Sequence, residues 1–143
     1  MLRLKDIDEN NWRPDLSVAD EQKGLVSDCN RLLARAYAYR YSRSYAFLIC
    51  LDEMPIGMGL YYDFEPKQAY DLSQFFIDYR WQRKGYGSAA LQLVLDKLRQ
   101  DGKYDKVFLT YIEGNEAARQ LYLKNGFTEG RQIDEEIFME RQL

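Results

Sequence analysis

Apolar residues recur along this chain in two rhythms, and the switches between them mark out its elements. Leu2 and Leu4 alternate with charged residues, which predicts a short first strand over Leu2 to Asp6. Trp12 to Val18 contains Pro14 and reads as a turn region. Leu25, Cys29, Leu32, Leu33 and Ala36 then fall at helical spacing, predicting a helical stretch from Ala19 to Ala38, broken near Gly24. Tyr45 to Leu51 and Ile56 to Phe64 are β-rich runs separated by Asp52 to Pro55, the pattern of a hairpin. Tyr70 to Asp78 forms the next strand, with Phe75, Phe76 and Ile77 at its apolar end. The strongest helical pattern covers Lys84 to Gln100, where Ala90, Val94 and Leu98 stack on one face beside Leu91 and Leu95. Asp101-Gly102 terminates it. Lys106 to Ile112 is the continuous run expected of a strand buried on both faces. Asn115 caps a further helix reaching about Lys124, with Gly126 just past its end. Phe127 resumes extended chain, and after a turn Ile133 to Arg141 carries a last strand over Glu136 to Glu140, so the chain ends in one strand or two. Hairpins come first and a β-α-β crossover follows, so the expected class is α/β: a mixed sheet with helices on its faces.

Length and composition narrow the picture. A chain of 143 residues favours one domain spanning 1–143, and 46% hydrophobic with 30% charged residues is a globular balance. No apolar run is long enough to cross a bilayer, and Met1 to Asp6 alternates too regularly for a signal peptide, so a cytoplasmic protein without membrane partners is expected. There is no histidine, which removes a Ser-His-Asp triad, a Cys-His pair and the ordinary zinc site, and no metal is expected. Cys29 and Cys50 read as unpaired structural thiols. The net charge of −3 comes without a basic stripe, which argues against nucleic acid. A mildly acidic surface suits a cationic substrate without requiring one.

The candidate chemistry lies where the fourth predicted strand meets the long helix. Phe75-Phe76-Ile77 feeds the basic loop Tyr79 to Lys84, and Gly85 and Gly87 then open the helix. The first turn of a helix carries unpaired N–H groups and a partial positive charge, a ready site for phosphate. Glycines let phosphate oxygens approach the backbone, and Arg83, Lys84 and the Ser88 hydroxyl add to the attraction. The P-loop pattern G-x-x-x-x-G-K-S/T is absent. A dinucleotide fingerprint does match Gly85, Gly87 and Ala90. A polar loop precedes Gly85, however, and Asp105 begins the following strand instead of ending it, which disfavours a nicotinamide site. A plain glycine-containing helix start with solvated cations is the bland alternative.

Two segments carry a family resemblance. Gln82-Arg83-Lys84-Gly85-Tyr86-Gly87 resembles the GNAT acetyltransferase signature Q/R-x-x-G-x-G/A. Asn115 to Phe127, with Ala118, Leu121, Tyr122 and Gly126 in register, resembles that family's second signature, N-x-x-A-x-x-L-Y-x-x-x-G-F. The resemblance implies a mixed, mostly antiparallel sheet whose fourth and fifth strands splay apart, with acetyl-CoA as co-substrate in the gap. It implies that Phe75, Phe76 and Ile77 pair with the pantetheine through their backbone. Gln82, Arg83, Lys84, Gly85, Tyr86, Gly87 and Ser88 would hold the pyrophosphate, Asn115 would bond near the pantetheine arm, and Tyr122 would sit by the sulfur. Tyr79 departs from the proline that many members carry there. A homodimer is expected by analogy alone.

Acyl transfer to an amine requires a proton to leave the amine and the thiolate to be quenched. An aliphatic amine of pKa about 10.4 arrives protonated, and a phenol of pKa about 10 is suited to return a proton to a thiolate of about 8.5. Tyr122 fits the general acid, with an oxyanion contact from a strand amide, for instance that of Ile77. The alternative for Tyr122 is a core aromatic beside Ala118 and Leu121. Asp78, Asp71 and Glu113 are open candidates for the base. Tyr37, Tyr39, Tyr41 and Tyr45, with Asp28, Asp52, Glu53 and Asp63, are candidates to cage an alkylammonium, against the alternative of a tyrosine-rich surface. Phe75-Phe76-Ile77-Asp78 and Leu16-Ser17-Val18 are similar to bacterial spermine/spermidine N-acetyltransferases, so a polyamine such as spermidine is the expected acceptor. Aminoglycosides, amino acids and protein N-termini stay open, as does a sensor that binds acetyl-CoA without turnover.

Overall fold

A computed structural model describes residues 1–143. The elements in chain order are β1 (Leu2–Asp6), α1 (Cys29–Ala38), β2 (Tyr45–Leu51), β3 (Met54–Phe64), β4 (Ala69–Ile77), α2 (Tyr86–Asp101), β5 (Lys106–Ile112), α3 (Glu116–Lys124), β6 (Thr128–Ile133) and β7 (Glu136–Gln142). The strands form one seven-stranded sheet in the order β1-β2-β3-β4-β5-β7-β6. Every neighbouring pair is antiparallel except β4 and β5. That single parallel pair is joined by the α2 crossover, as a parallel connection requires.

Strand alternation sends side chains to two faces, each with its own apolar cluster. Phe47, Ile49, Tyr70, Leu72, Val107 and Leu109 pack under Leu91, Val94, Leu95 and Leu98 of α2. On the other face, Leu48, Cys50, Met58 and Leu60 pack against Leu32 of α1. No helix is long and apolar enough to cross a membrane.

Two helix starts differ from the sequence expectation, each for a local reason. Only Cys29–Ala38 of the predicted Ala19–Ala38 stretch is α-helical, because Asp28 caps it there by accepting from the Arg31 amide at 2.8 Å. Before it lie a single 3₁₀ turn at Asp20–Gln22 and Gly24 at φ +88°. The long helix begins at Tyr86, since Gly85 adopts φ +84° at its N-cap. The C-terminus holds two strands in a hairpin, turning at Asp134 with φ 54°.

A charged cluster ties together the end of the sheet remote from Gly85. The Arg43 guanidinium donates to Asp63 at 2.8 and 3.0 Å and to Asp101 at 3.0 Å, while Lys103 Nζ donates to Asp63 at 2.8 Å. The Tyr70 hydroxyl bonds Asp101. Burial pushes the Asp63 carboxyl up, but Arg43 and Lys103 more than offset it and hold it below the usual range. Asp101 is likewise held below that range, by Arg43 and Tyr70. Both carboxylates are depressed in the folded state, so their contribution is present above the ordinary carboxylate range and is lost as pH falls through it. Arg43→Ala is expected to cost about 2 kcal/mol in urea unfolding at pH 7, below the cost of a wholly abandoned buried charge because Lys103 still pairs with Asp63. The gap between variant and wild type should narrow as pH is lowered to about 3.

Candidate active site

The site begins with the way β4 leaves β5. Their register covers only Tyr70 with Val107 and Asp71 with Phe108. Just beyond, Leu60 faces Gln74 and Tyr61 faces Leu72, so Ser73 is an extra residue bulged out of β4. A bulge bends and twists its strand, and here it coincides with the divergence. The bond from the Asp78 amide to the Ile56 carbonyl (2.7 Å) sets the hydrogen-bonding phase of β3 and β4. Phe76 therefore shares its main-chain bonds with Met58, while Phe75 and Ile77 turn theirs toward the gap. Of the three residues expected to pair with a pantetheine arm, Phe75 and Ile77 present main chain to the gap and Phe76 does not, because backbone polarity alternates along a strand. The Ile77 carbonyl already accepts from Gln82 Nε2 at 2.8 Å.

The loop after β4 delivers the chain to α2 in a strained path, with Arg83 at φ 61° and Gly85 at φ 84°. A Cβ on Gly85 would meet nothing within 4 Å, so glycine is needed there for its backbone angle and not for close packing. The amides of Tyr86, Gly87 and Ser88 form the first turn of a sixteen-residue helix and have no intrahelical partner. Gly87 and Ser88 open on a cleft of about 860 Å³ lined also by Phe75, Phe76, Ile77, Gln82, Arg83, Gly85, Asn115 and Tyr122. Lys84 and Tyr86 do not line it: Lys84 Nζ lies 5.7 Å from the Trp81 ring centroid, and the Tyr86 ring meets Trp81 edge-on at 6.1 Å.

Across the cleft, Asn115 caps α3, its Oδ1 accepting from the Ala118 amide at 3.3 Å. Tyr122 is buried about two helical turns further on and packs edge-on against Phe127. Burial alone raises its phenol above the ordinary range, so it stays protonated at neutral pH. A residue missed by the sequence reading joins the two walls. Gln22 accepts from Gln82 Nε2 at 2.9 Å and donates to Asn115 Oδ1 at 3.3 Å. It lies on a 3₁₀ turn with no apolar periodicity, and nothing in the sequence marks it.

A second cleft of about 680 Å³ adjoins the first, sharing Phe75, Phe76, Asn115, Ala118 and Tyr122 as lining. It adds Asp28, Asp71 and Glu136, matched by Lys23, Arg31 and Arg35. Burial lifts the Asp71 carboxyl to about 6 against the opposing pull of the Tyr62 hydroxyl and Arg35. The other base candidates are placed elsewhere. Asp78 is fully buried and accepts from the Ser17 and Arg80 amides and from the Arg80 guanidinium, so it anchors the Leu16–Val18 segment to the end of β4. Glu113 is exposed, lines neither cleft and accepts from Gln132. The tyrosine cage does not form. Tyr37 and Tyr41 are exposed around Arg40, Tyr39 stacks on Tyr62, and Tyr45 donates to Asp6. Asp52, Glu53 and Asp63 are engaged by the Met1 amine, Arg3 and Arg43 respectively. No group of three His, Cys, Asp or Glu side chains is placed to hold a metal ion.

A splayed parallel pair, an anion-receptive helix start and a buried tyrosine between two clefts define an acyl-CoA transferase site. The sequence profile of the Acetyltransferase (GNAT) family matches residues 5–127, so the chain belongs to that family and is an acetyl-CoA-dependent N-acetyltransferase. It is 29% identical over 139 residues to the spermine/spermidine N(1)-acetyltransferase of Bacillus subtilis (strain 168), covering 93% of this chain and 91% of that one. Its fold is similar to the PaiA N-acetyltransferase from Thermoplasma acidophilum in complex with coenzyme A, with TM-score 0.74 and 16% identity over 100% of this chain and 99% of the other. It is likewise similar to the aminoglycoside acetyltransferase AAC(6')-Ib in complex with coenzyme A, with TM-score 0.77 and 15% identity over 99% and 95% of the two chains.

Gln22→Ala should free the 20–26 segment from both walls. Amide hydrogen exchange there is expected to accelerate several-fold while the global melting temperature changes little.

Proposed function

We propose that this enzyme acetylates a primary amine of a polyamine such as spermidine, by direct attack on acetyl-CoA in a ternary complex. The observation that carries the reading is the meeting of two clefts at Tyr122, one opening on the free amides of α2 and the other on carboxylates. The diphosphate would dock on the amides of Tyr86 to Ser88, and the pantetheine arm would pair with the Phe75 main chain and the Ile77 amide, the Ile77 carbonyl being held by Gln82. Asp71 is the proposed base, acting through water, since a carboxyl near 6 is ionised at neutral pH yet retains proton affinity. The amine attacks the thioester carbonyl, its proton leaves toward Asp71, and Tyr122 protonates the departing thiolate. Burial keeps Tyr122 in the protonated form that this step needs.

The polyamine reading is supported by Asp28, Asp71 and Glu136 in the acceptor cleft and by the similarity to the Bacillus subtilis relative. A second reading rests on Arg31 and Arg35 in the same cleft, which suit an amine that also bears a carboxylate, such as an amino acid or peptide N-terminus. A thiol-release assay with spermidine, spermine, a free amino acid and a short peptide separates them. Turnover with polyamines alone supports the first reading and turnover with carboxylate-bearing amines alone the second. Coenzyme A binding without turnover on any amine would indicate a sensor.

Tyr122→Phe is expected to lower kcat by 10²–10⁴-fold while coenzyme A affinity changes little. The kcat/KM profile should fall about tenfold per pH unit below about 6, where Asp71 takes up its proton. Asp71→Asn should remove that limb together with most of the rate. Because the folded-state value lies above the unfolded one, the stability associated with Asp71 is present at low pH and lost as pH rises through about 6. The same substitution should therefore raise the melting temperature at pH 8 by a few degrees.

A further inference from the structure

Behind the anion-receptive turn of α2 stands a polar chain that does not itself reach the cleft. Gln92 Nε2 donates to Asn125 Oδ1 at 3.1 Å. Asn125 Nδ2 donates to the Leu121 carbonyl at 2.8 Å and to Ser88 Oγ at 3.1 Å. The orientation of the Asn125 amide is fixed by chemistry, because a carbonyl oxygen only accepts and so must face the NH₂ side. Asn125 is buried and is held further by its own backbone: its amide bonds the Tyr122 carbonyl at 3.1 Å, and its carbonyl accepts from Arg141 Nε at 2.8 Å.

A serine hydroxyl has one proton to give and two lone pairs. Asn125 fills a lone pair on Ser88, so the proton is not used on that side. We infer that Asn125 is a positioning residue for cofactor binding: it turns the Ser88 hydroxyl into an outward-facing donor aimed at the diphosphate. The inference rests on the proposal that the diphosphate docks at the start of α2. The Asn125 amide cannot swap its ends without placing an oxygen against the Leu121 carbonyl, so the hydroxyl is polarised before the ligand arrives. The arrangement links the two signature segments, with Ser88 from the first oriented by Asn125, which directly precedes Gly126-Phe127 of the second. Gly126 is constrained by the same contact, since a Cβ there would stand 2.9 Å from Arg141 Nε.

A double-mutant cycle on coenzyme A binding, read by calorimetry, tests this. Ser88→Ala should weaken the dissociation constant about tenfold, the loss of one hydrogen bond to a charged group. Asn125→Ala should weaken it several-fold, and the double variant should bind no worse than Ser88→Ala alone. Gln92→Ala leaves Asn125 in place, and Gln92 is exposed on α2, so this variant folds even if Asn125→Ala does not. It should weaken binding about twofold, an effect that vanishes in the Ser88→Ala background. A purely structural role for Asn125 would lower the melting temperature and give effects that multiply with those of Ser88→Ala. Multiplying effects, for either Asn125→Ala or Gln92→Ala, overturn the positioning role while leaving the diphosphate site intact. Unchanged affinity in Ser88→Ala overturns both.

Discussion

The structure turns on the two-residue register between β4 and β5. A buried strand must spend its backbone donors and acceptors on a neighbour, and for most of its length β4 has one on only one side. The main chain of Phe75 and the amide of Ile77 are left directed into a gap, the Ile77 carbonyl being taken by Gln82, and an amide-bearing ligand is the natural way to satisfy them. The Ser73 bulge bends the strand at the point of departure, and α2 closes the far end with its own unpaired amides. The groove and the anion site are thus two consequences of one crossover, held in fixed relation by the apolar packing of α2 on the sheet.

Polar groups around the site divide into those that hold and those left open. Asp78 is consumed by Ser17 and Arg80, and that consumption draws the Leu16–Val18 segment into the wall of the clefts. Asn115 spends its oxygen on the α3 cap and on Gln22. Asp71, in contrast, is neither exposed nor ion-paired by a close contact, which is why burial dominates its acidity. That is the character the proposed base requires, whereas Asp78 and Asp63 are consumed in structural pairs.

Much of this was legible in the sequence where a strong local period coincided with punctuation. Apolar runs and helical periodicity marked β2, β5 and α2, with Gly102 ending α2 and Asn115 and Gly126 bracketing α3. The two signature segments placed the cleft-lining residues from Gln82 to Ser88 together with Asn115 and Tyr122. Residues whose placement depends on tertiary context were not legible. Every side chain of β6 is exposed, so the strand carries no apolar alternation and is defined only by pairing with β7. Gln22 and Asn125 act through side-chain hydrogen bonds to residues distant in sequence or hidden behind the turn. Tyr37 and Tyr41 suggested a cage by composition, yet Arg40 occupies the space between their rings at the surface.

The most direct test of the account is a crystal structure with coenzyme A bound. The diphosphate should lie within hydrogen-bond reach of the amides of Tyr86 to Ser88, with the pantetheine amides paired to the main chain of Phe75 and Ile77 and the sulfur beside Tyr122. Coenzyme A held elsewhere on the surface, or a first turn of α2 closed off by neighbouring side chains, would contradict it.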